Sequence, residues 1–176
     1  MSSKNLEDFL NENTEKESKE NSIDWEAQKN SWLQSVEIFY SDVEQWLKPF
    51  IDKKQVLIEF KNITLQEDHI GKYDTRAMYI YISGEKVFFE PIGTLLVGAR
   101  GRIDMNGKNG VTKFLLVGEN AQGFKITMTI KNETPIKTEN TTKEKLVWKM
   151  STPLPNIKFL TLNSDSFSDA LLSIIE

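Results

Sequence analysis

Residues 24–60 read DWEAQKNSWLQSVEIFYSDVEQWLKPFIDKKQVLIEF, and the hydrophobic period changes within this stretch. From Trp25 to Phe50, eight positions recur at alternating steps of four and three residues, and all of them except Lys29 are apolar, which is the stripe of an amphipathic helix. From Gln55 onward the period becomes two, which is typical of a half-buried strand. The stretch therefore predicts a long helix that leads into a sheet.

Particular residues mark the ends of this helix. The side-chain oxygen of Ser22 or Asp24 is suited to cap its first turn. Pro49 predicts an end between Trp46 and Lys48, because the residue before a proline is disfavoured in the α region. A capping-box pattern also permits a break near Tyr40. We expect one long helix.

Several later segments alternate apolar and polar side chains with the period of a strand. The predicted strands are Val56–Phe60, Met78–Ile82, Leu95–Met105, Val111–Val117, Phe124–Ile130, Leu146–Met150 and Ile157–Leu162. Residues 83–85, 106–110 and 118–123 supply Gly, Asn and Ser for the turns between them. No connection within residues 76–130 is long enough to hold a crossover helix, so that part of the sheet must be antiparallel. The polar residues 131–144 predict a long loop.

The chain closes with a second helical pattern. Ala170, Leu171 and Ile174 lie three, four and seven residues after Phe167, on one face of a helix. The fold class is therefore α+β. We expect a long N-terminal amphipathic helix, an antiparallel sheet of about seven strands and a short C-terminal helix. The order of elements suits both a closed barrel and a curved sheet wrapped around the first helix.

The composition limits the possible functions. The 176 residues carry 26 acids, 22 bases, no cysteine and one histidine. These counts exclude disulfides, thiolate zinc sites and multi-histidine metal sites within one chain. The acidic balance argues against nucleic acid as a partner. The longest apolar run is six residues, Ala77–Ile82, far short of the roughly 20 that a membrane span needs.

The acidity is concentrated at the N-terminus. Residues 1–21 hold six acids and three lysines, a net charge of −3, so residues 22–176 have a net charge of only −1. We expect residues 1–21 to form a disordered or loosely held acidic tail and residues 22–176 to form a single α+β domain. Since cysteine and a signal-peptide pattern are both absent, we expect a cytoplasmic protein.

Residues 97–108, VGARGRIDMNGK, form the most distinctive stretch. They lack the spacing of a phosphate-binding loop. Read as a strand, they place Arg100, Arg102 and Asp104 on the face opposite the apolar residues, with glycines that permit a bend or the close approach of another backbone. Arginine suits carboxylate or phosphate ligands. Arg100, Arg102, Asp104 and the neighbouring Glu90 are therefore the candidate ligand-binding residues, and pairing among them is the alternative.

The tryptophans of the first helix are the candidates for a partner interface. Trp25, Trp32 and Trp46 occupy heptad positions, where each can bury about 200 Å². The simpler interpretation places them in the seam between the helix and the sheet. The alternative is a helix shared with a protein partner or with a second copy of the chain.

The single histidine lies in residues 67–74, EDHIGKYD, which we expect to form a loop. Three carboxylates and His69 offer metal ligands or an acid–base group, but their spacing matches no known site, and we expect no metal and no cofactor. We therefore hypothesise a non-enzymatic binding or protein-interaction domain. The alternative is a small-ligand carrier, or an enzyme, with a pocket in the curved sheet.

Overall fold

Most of the described residues lie in or beside one antiparallel sheet and two helices. The computed structural model describes residues 6, 8, 10, 11, 13, 14, 23–94, 96, 98–124 and 144–176. The elements are α1 (Trp25–Asp52), β1 (Val56–Glu67), β2 (Gly71–Ile82), β3 (Glu85–Gly93), β4 (Gly101–Gly107), β5 (Gly110–Gly118), β6 (Leu146–Ser151), β7 (Phe159–Thr161) and α2 (Ser164–Ile175). The predicted α+β class is confirmed.

The seven described strands follow one another in the sheet in chain order, each antiparallel to the next. The sheet is curved and does not close, so the open sheet is observed and the barrel is not. The turn between β2 and β3 confirms the expected hairpin, because Ser83 and Gly84 have φ angles of 52° and 81°. Residues 108 and 109 connect β4 to β5 in the same region of sequence that predicted a turn.

Helix α1 fills the concave face of the sheet. Six of its side chains are at most 3% exposed, namely Trp32, Val36, Phe39, Tyr40, Val43 and Leu47. The ring of Phe39 lies 4.9 Å from that of Phe114 in β5 and 5.1 Å from that of Trp148 in β6. Burial of these six side chains stabilises the fold.

The end of α1 differs from the prediction. The helix passes through Pro49 and ends at Asp52, without a break near Tyr40. Pro49 removes only the hydrogen bond to the carbonyl of the residue four positions earlier, and it does so in the last turn of the helix. Lys54, with a φ angle of 58°, then donates its backbone N–H to the carbonyl of Ile51 at 2.9 Å and terminates the helix. Its start is as expected, because the Asp24 side chain caps the first turn.

The β1–β2 hairpin is longer than the sequence indicates. The two strands pair over their whole length, from Val56 opposite Ile82 to Glu67 opposite Gly71. Only residues 68–70 form the turn, so the expectation of a loop over residues 67–74 is wrong. Since β2 pairs with β3 only over Met78–Ile82, the far half of the hairpin is not paired with β3.

Two glycines of the distinctive stretch allow other groups to approach the backbone. A Cβ atom on Gly101 would lie 2.3 Å from the indole of Trp32, and one on Gly107 would lie 2.6 Å from the Ile174 carbonyl oxygen. The second contact confirms the expected close approach of another backbone. The predicted strand over residues 95–105 begins only at Gly101.

Three expectations fall on residues outside the described part of the chain. They are the strand Phe124–Ile130 after its first residue, the loop over residues 131–143, and most of the tail over residues 1–21.

Candidate binding site

Arg102 and Asp104 form an ion pair on strand β4. The Arg102 Nε and Nη2 atoms donate to the two carboxylate oxygens of Asp104 at 2.7 and 2.6 Å. Asp104 is only 8% exposed, and the guanidinium compensates its buried charge. Hydrogen bonding to Asp104 raises the pKa of Arg102, with a smaller contribution from the charge of Glu90. Glu90 itself lies opposite Asp104 on β3.

Arg100 lies apart from Arg102, Asp104 and Glu90. It precedes β4 at a bend, where its backbone N–H donates to the Leu116 carbonyl at 2.7 Å. Arg76 pairs with Glu37 and Arg102 pairs with Asp104, whereas no carboxylate in the described residues lies within ion-pair distance of the Arg100 guanidinium. The bend thus separates the two arginines that a continuous strand would have placed together.

Arg100 lines a cleft of about 660 Å³ at the N-terminal end of α1, which we call the mouth cleft. Its walls come from the start of α1, the β3–β4 connection and the adjoining ends of β5 and β6. They are formed by Ile23, Trp25, Gln28, Thr94, Leu96, Gly98, Ala99, Arg100, Val117, Gly118, Glu144 and Leu146. Aliphatic side chains form much of this lining, and Arg100 and Glu144 are its two ionisable groups. Such a mixture is typical of small-molecule sites, whose volumes are about 300–1,000 Å³.

A hydrogen-bond network fixes the polar wall of the mouth cleft. The Glu67 carboxylate accepts from the backbone N–H of Thr94 at 2.8 Å and from its hydroxyl at 3.0 Å. The Thr94 hydroxyl in turn accepts from Gln28 Nε2 at 3.0 Å. The Tyr73 hydroxyl donates a short hydrogen bond to Glu67. The network therefore joins α1 to the ends of β1 and β3 and to the start of β2.

The surroundings of Glu67 are closely packed. A Cβ atom on Gly93 would lie 2.7 Å from the Glu67 carboxyl carbon, and Gly93 has a φ angle of 137° that side-chain-bearing residues rarely adopt. Thr94 is only 4% exposed. Burial raises the pKa of Tyr73, and its hydrogen bond to Glu67 raises that pKa further. The Tyr73 hydroxyl therefore stays protonated as a donor at neutral pH.

The three tryptophans of α1 occupy different environments. Trp25 lines the mouth cleft, and its ring stacks on that of His69, with centroids 5.1 Å apart and planes at 13°. Trp32 is 1% exposed and packs in the core, while the ring of the half-buried Trp46 lies 5.3 Å from that of Phe167 in α2. Trp32 and Trp46 thus form the seam between α1 and the rest of the fold, which was the simpler interpretation.

Glu144 supplies the negative charge of the mouth cleft. Its carboxylate lies over Gly118, so close that a Cβ atom there would be 1.7 Å from Oε1. Glu144 and Arg100 line the same cleft without forming an ion pair with each other. The cleft therefore presents two opposite charges to whatever enters it.

Arg102 lines a second depression of about 610 Å³ on the convex face of the sheet, which we call the outer cleft. Lys113 and Ser151 also line it, together with Leu154, which is 79% exposed. Leu96 and Ala99 belong to both clefts, so the β3–β4 connection forms the ridge between them.

Sequence reasoning selected Arg100 as a candidate and noted Glu67 only within an expected loop, but it did not select Gln28, Thr94 or Glu144. Gln28 lies one helical turn before Trp32 and is not part of the apolar stripe of α1. Glu67 and Thr94 are separated by 27 positions, and no pattern in the sequence links them.

Comparisons with family models, with curated proteins and with solved structures find no match for this chain. Among the described residues, no group of three or more His, Cys, Asp or Glu side chains is placed to hold a metal ion. None of the described helices is long and apolar enough to cross a membrane.

Proposed function

We propose that this chain is a non-enzymatic binding domain that holds a small organic anion in the mouth cleft. The ligand has an apolar body and one carboxylate, which pairs with Arg100. The observation that carries the proposal is the state of the three arginines. Two have carboxylate partners, and Arg100, which has none among the described residues, lines the mouth cleft.

The polar wall supports this function because it is ordered in advance. Gln28 and Thr94 are held by Glu67 and need not be immobilised when a ligand enters. Preorganised donors reduce the entropy lost on binding. The Thr94 hydroxyl donates to Glu67 and accepts from Gln28, which leaves the second N–H and the oxygen of the Gln28 amide for the ligand.

The apolar residues that line the cleft favour a ligand with an apolar body. Leu96 of the β3–β4 connection, Val117 and Leu146 line one part of the cleft, and Trp25 of α1, whose ring stacks on that of His69, lines another. An alkyl or aryl body gains about 25 cal/mol per Å² of apolar surface that it buries there. Glu144 disfavours a second negative charge, so the proposal specifies a monoanion.

Calorimetric titration with octanoate, octanol and octylamine tests the proposal, because the three probes share a body and differ in the head group. We expect octanoate to bind most tightly. Arg100→Gln removes a charge-assisted hydrogen bond worth about 1.5–3 kcal/mol, so octanoate should bind about tenfold to a hundredfold more weakly to this variant.

Lys48→Gln is the matched control, because Lys48 is an exposed cation of α1 whose only described partner is Asp52. It should leave octanoate binding unchanged. Equal affinity for octanoate and octanol, or equal losses in Arg100→Gln and Lys48→Gln, would refute a carboxylate site at Arg100.

We also propose that the domain is cytoplasmic, because its sequence contains no cysteine. Of the three tryptophans, Trp32 is assigned to the core, where it is inaccessible to a partner.

A further inference from the structure

Strand β1 forms a long edge of the sheet. It pairs with β2 over its whole length and has no strand on its other side among the described residues. No hydrogen bond joins the backbone between Val56 and Thr64 to any described residue outside the sheet. A long edge with unpaired backbone groups is a template for another strand.

The turn between β2 and β3 shows which groups of β1 face outward. Ser83 and Gly84 form a two-residue hairpin, so the flanking pair Ile82–Glu85 is hydrogen-bonded and the N–H and C=O of Ile82 face β3. By alternation, those of Tyr81 face β1 and those of Leu57 face β2. The N–H and C=O groups of the even-numbered residues from 56 to 64 therefore point to the open edge.

The outer face of this edge is self-complementary. In an antiparallel pair of β1 strands centred on Phe60, Glu59 of each copy lies opposite Lys61 of the other. Leu57, which is 56% exposed, lies opposite Ile63 of the other copy. In this register the even-numbered residues, whose backbone groups point to the open edge, face one another and form the hydrogen-bonded pairs. The same register therefore satisfies both the backbone hydrogen bonds and the side-chain pairs.

Registers shifted by one or two residues from the one centred on Phe60 do not place Glu59 opposite Lys61. Centring the pair on Lys61 places two lysines directly opposite each other, and centring it on Glu59 places two glutamates opposite each other, both of which are destabilising. Centring it on Asn62 leaves both charges opposite aliphatic residues. The side chain of Lys61 leaves the edge accessible, because its Nζ atom lies 4.7 Å from the Tyr79 ring centroid in the same sheet.

We infer that this chain forms a two-fold homodimer through β1, which joins two sheets into one continuous antiparallel sheet. The occupant of the edge is a second copy of the chain, in the register centred on Phe60. Since β1 does not line the mouth cleft, this inference does not depend on the proposed ligand.

Disulfide trapping tests the register directly, because the natural chain has no cysteine. Glu59→Cys and Lys61→Cys are prepared separately, mixed in equal amounts and oxidised. Facing residues in a non-hydrogen-bonded pair have Cα atoms about 4.5 Å apart, within disulfide range. The mixture should give a cross-linked dimer on non-reducing gels, and either variant alone should give little, because like positions are offset along the strands.

A cross-link that forms equally in all three samples, or in none, overturns the inference. Sedimentation equilibrium of the unmodified full chain gives a second readout. Glu59→Lys should weaken the dimer about tenfold or more, and Glu59→Lys combined with Lys61→Glu should restore it. A chain that stays monomeric at all concentrations, or a dimer that is insensitive to Glu59→Lys while far-UV circular dichroism is unchanged, also overturns it.

Discussion

The carboxylate of Glu67 accepts hydrogen bonds from both the backbone N–H and the hydroxyl of Thr94, at 2.8 and 3.0 Å. The two residues lie at the ends of β1 and β3, which are not neighbours in the sheet. They meet where the far half of the β1–β2 hairpin is no longer paired with β3. This contact fixes the wall on which Gln28 is held beside the mouth cleft.

Thr94→Val tests the importance of this contact for stability. The substitution keeps the shape and the backbone donor but removes the hydroxyl, so Glu67 loses the hydrogen bond that this hydroxyl donates and Gln28 loses its acceptor. Urea unfolding should show a loss of about 1–3 kcal/mol. Thr161→Val at an exposed position of β7 is the matched control and should change stability by less than about 0.5 kcal/mol. Similar effects of the two substitutions would contradict the role of Thr94.

A second prediction concerns alkaline pH. Burial raises the pKa values of Tyr40 and Tyr73 above the ordinary value of about 10, so both stay protonated in the folded state when the unfolded chain already ionises. The free energy of unfolding that these two protonated tyrosines contribute is complete below about pH 10 and decreases as the pH rises above it. Chemical unfolding at pH 9 and pH 11 should show a smaller loss of stability in Tyr73→Phe than in the natural chain. An equal or larger loss in Tyr73→Phe would contradict the assignment.

A third prediction separates the two arginines. Arg102→Gln leaves the buried Asp104 carboxylate without its cation, which should cost about 3–5 kcal/mol. Replacing both residues, by Arg102→Gln with Asp104→Asn, should recover part of that loss. Arg100→Gln should change the free energy of unfolding by less than about 0.5 kcal/mol. Equal destabilisation by Arg100→Gln and Arg102→Gln would show that Arg100 also has a structural partner.

A fourth prediction concerns the packing of Trp32 on Gly101. Gly101→Ala places a methyl group within 2.3 Å of the indole and should destabilise the fold by about 1–3 kcal/mol or more. Gly123→Ala is the comparison, because a Cβ atom there would meet the Ile157 carbonyl oxygen at 3.1 Å, which is a milder crowding. Thermal unfolding should show a clearly larger loss of Tm for Gly101→Ala than for Gly123→Ala. A normal Tm for Gly101→Ala would mean that Trp32 can move away at little cost.

The helices and the antiparallel pairing of neighbouring strands could be predicted because both depend on local signals. The stripe residues Trp32, Val36, Phe39 and Val43 are buried, although Phe50 at the end of the stripe is 46% exposed. The short turns permit only antiparallel neighbours. The prediction for the end of α1 was wrong because one missing donor in a last turn costs less than the packing of Ile51 against the core contributes.

The site was harder to predict because it depends on contacts between distant residues. Arg100 and Arg102 have the spacing of one strand face, but the bend before Gly101 turns them to different clefts. Glu67 belonged to an expected loop, and its contact with Thr94 joins strands that are not neighbours in the sheet. Patterns of period two or 3.6 carry no information about such contacts.

The most direct test of the mouth cleft is a titration of the ¹⁵N-labelled chain with octanoate, followed by nuclear magnetic resonance. The side-chain resonances of Arg100 Nε, Gln28 Nε2 and Trp25 Nε1 should shift together and saturate, while that of Arg102 Nε stays unchanged. Saturable shifts centred on Arg102, or no saturable shift at Arg100, would contradict the claim that Arg100 binds a carboxylate in the mouth cleft.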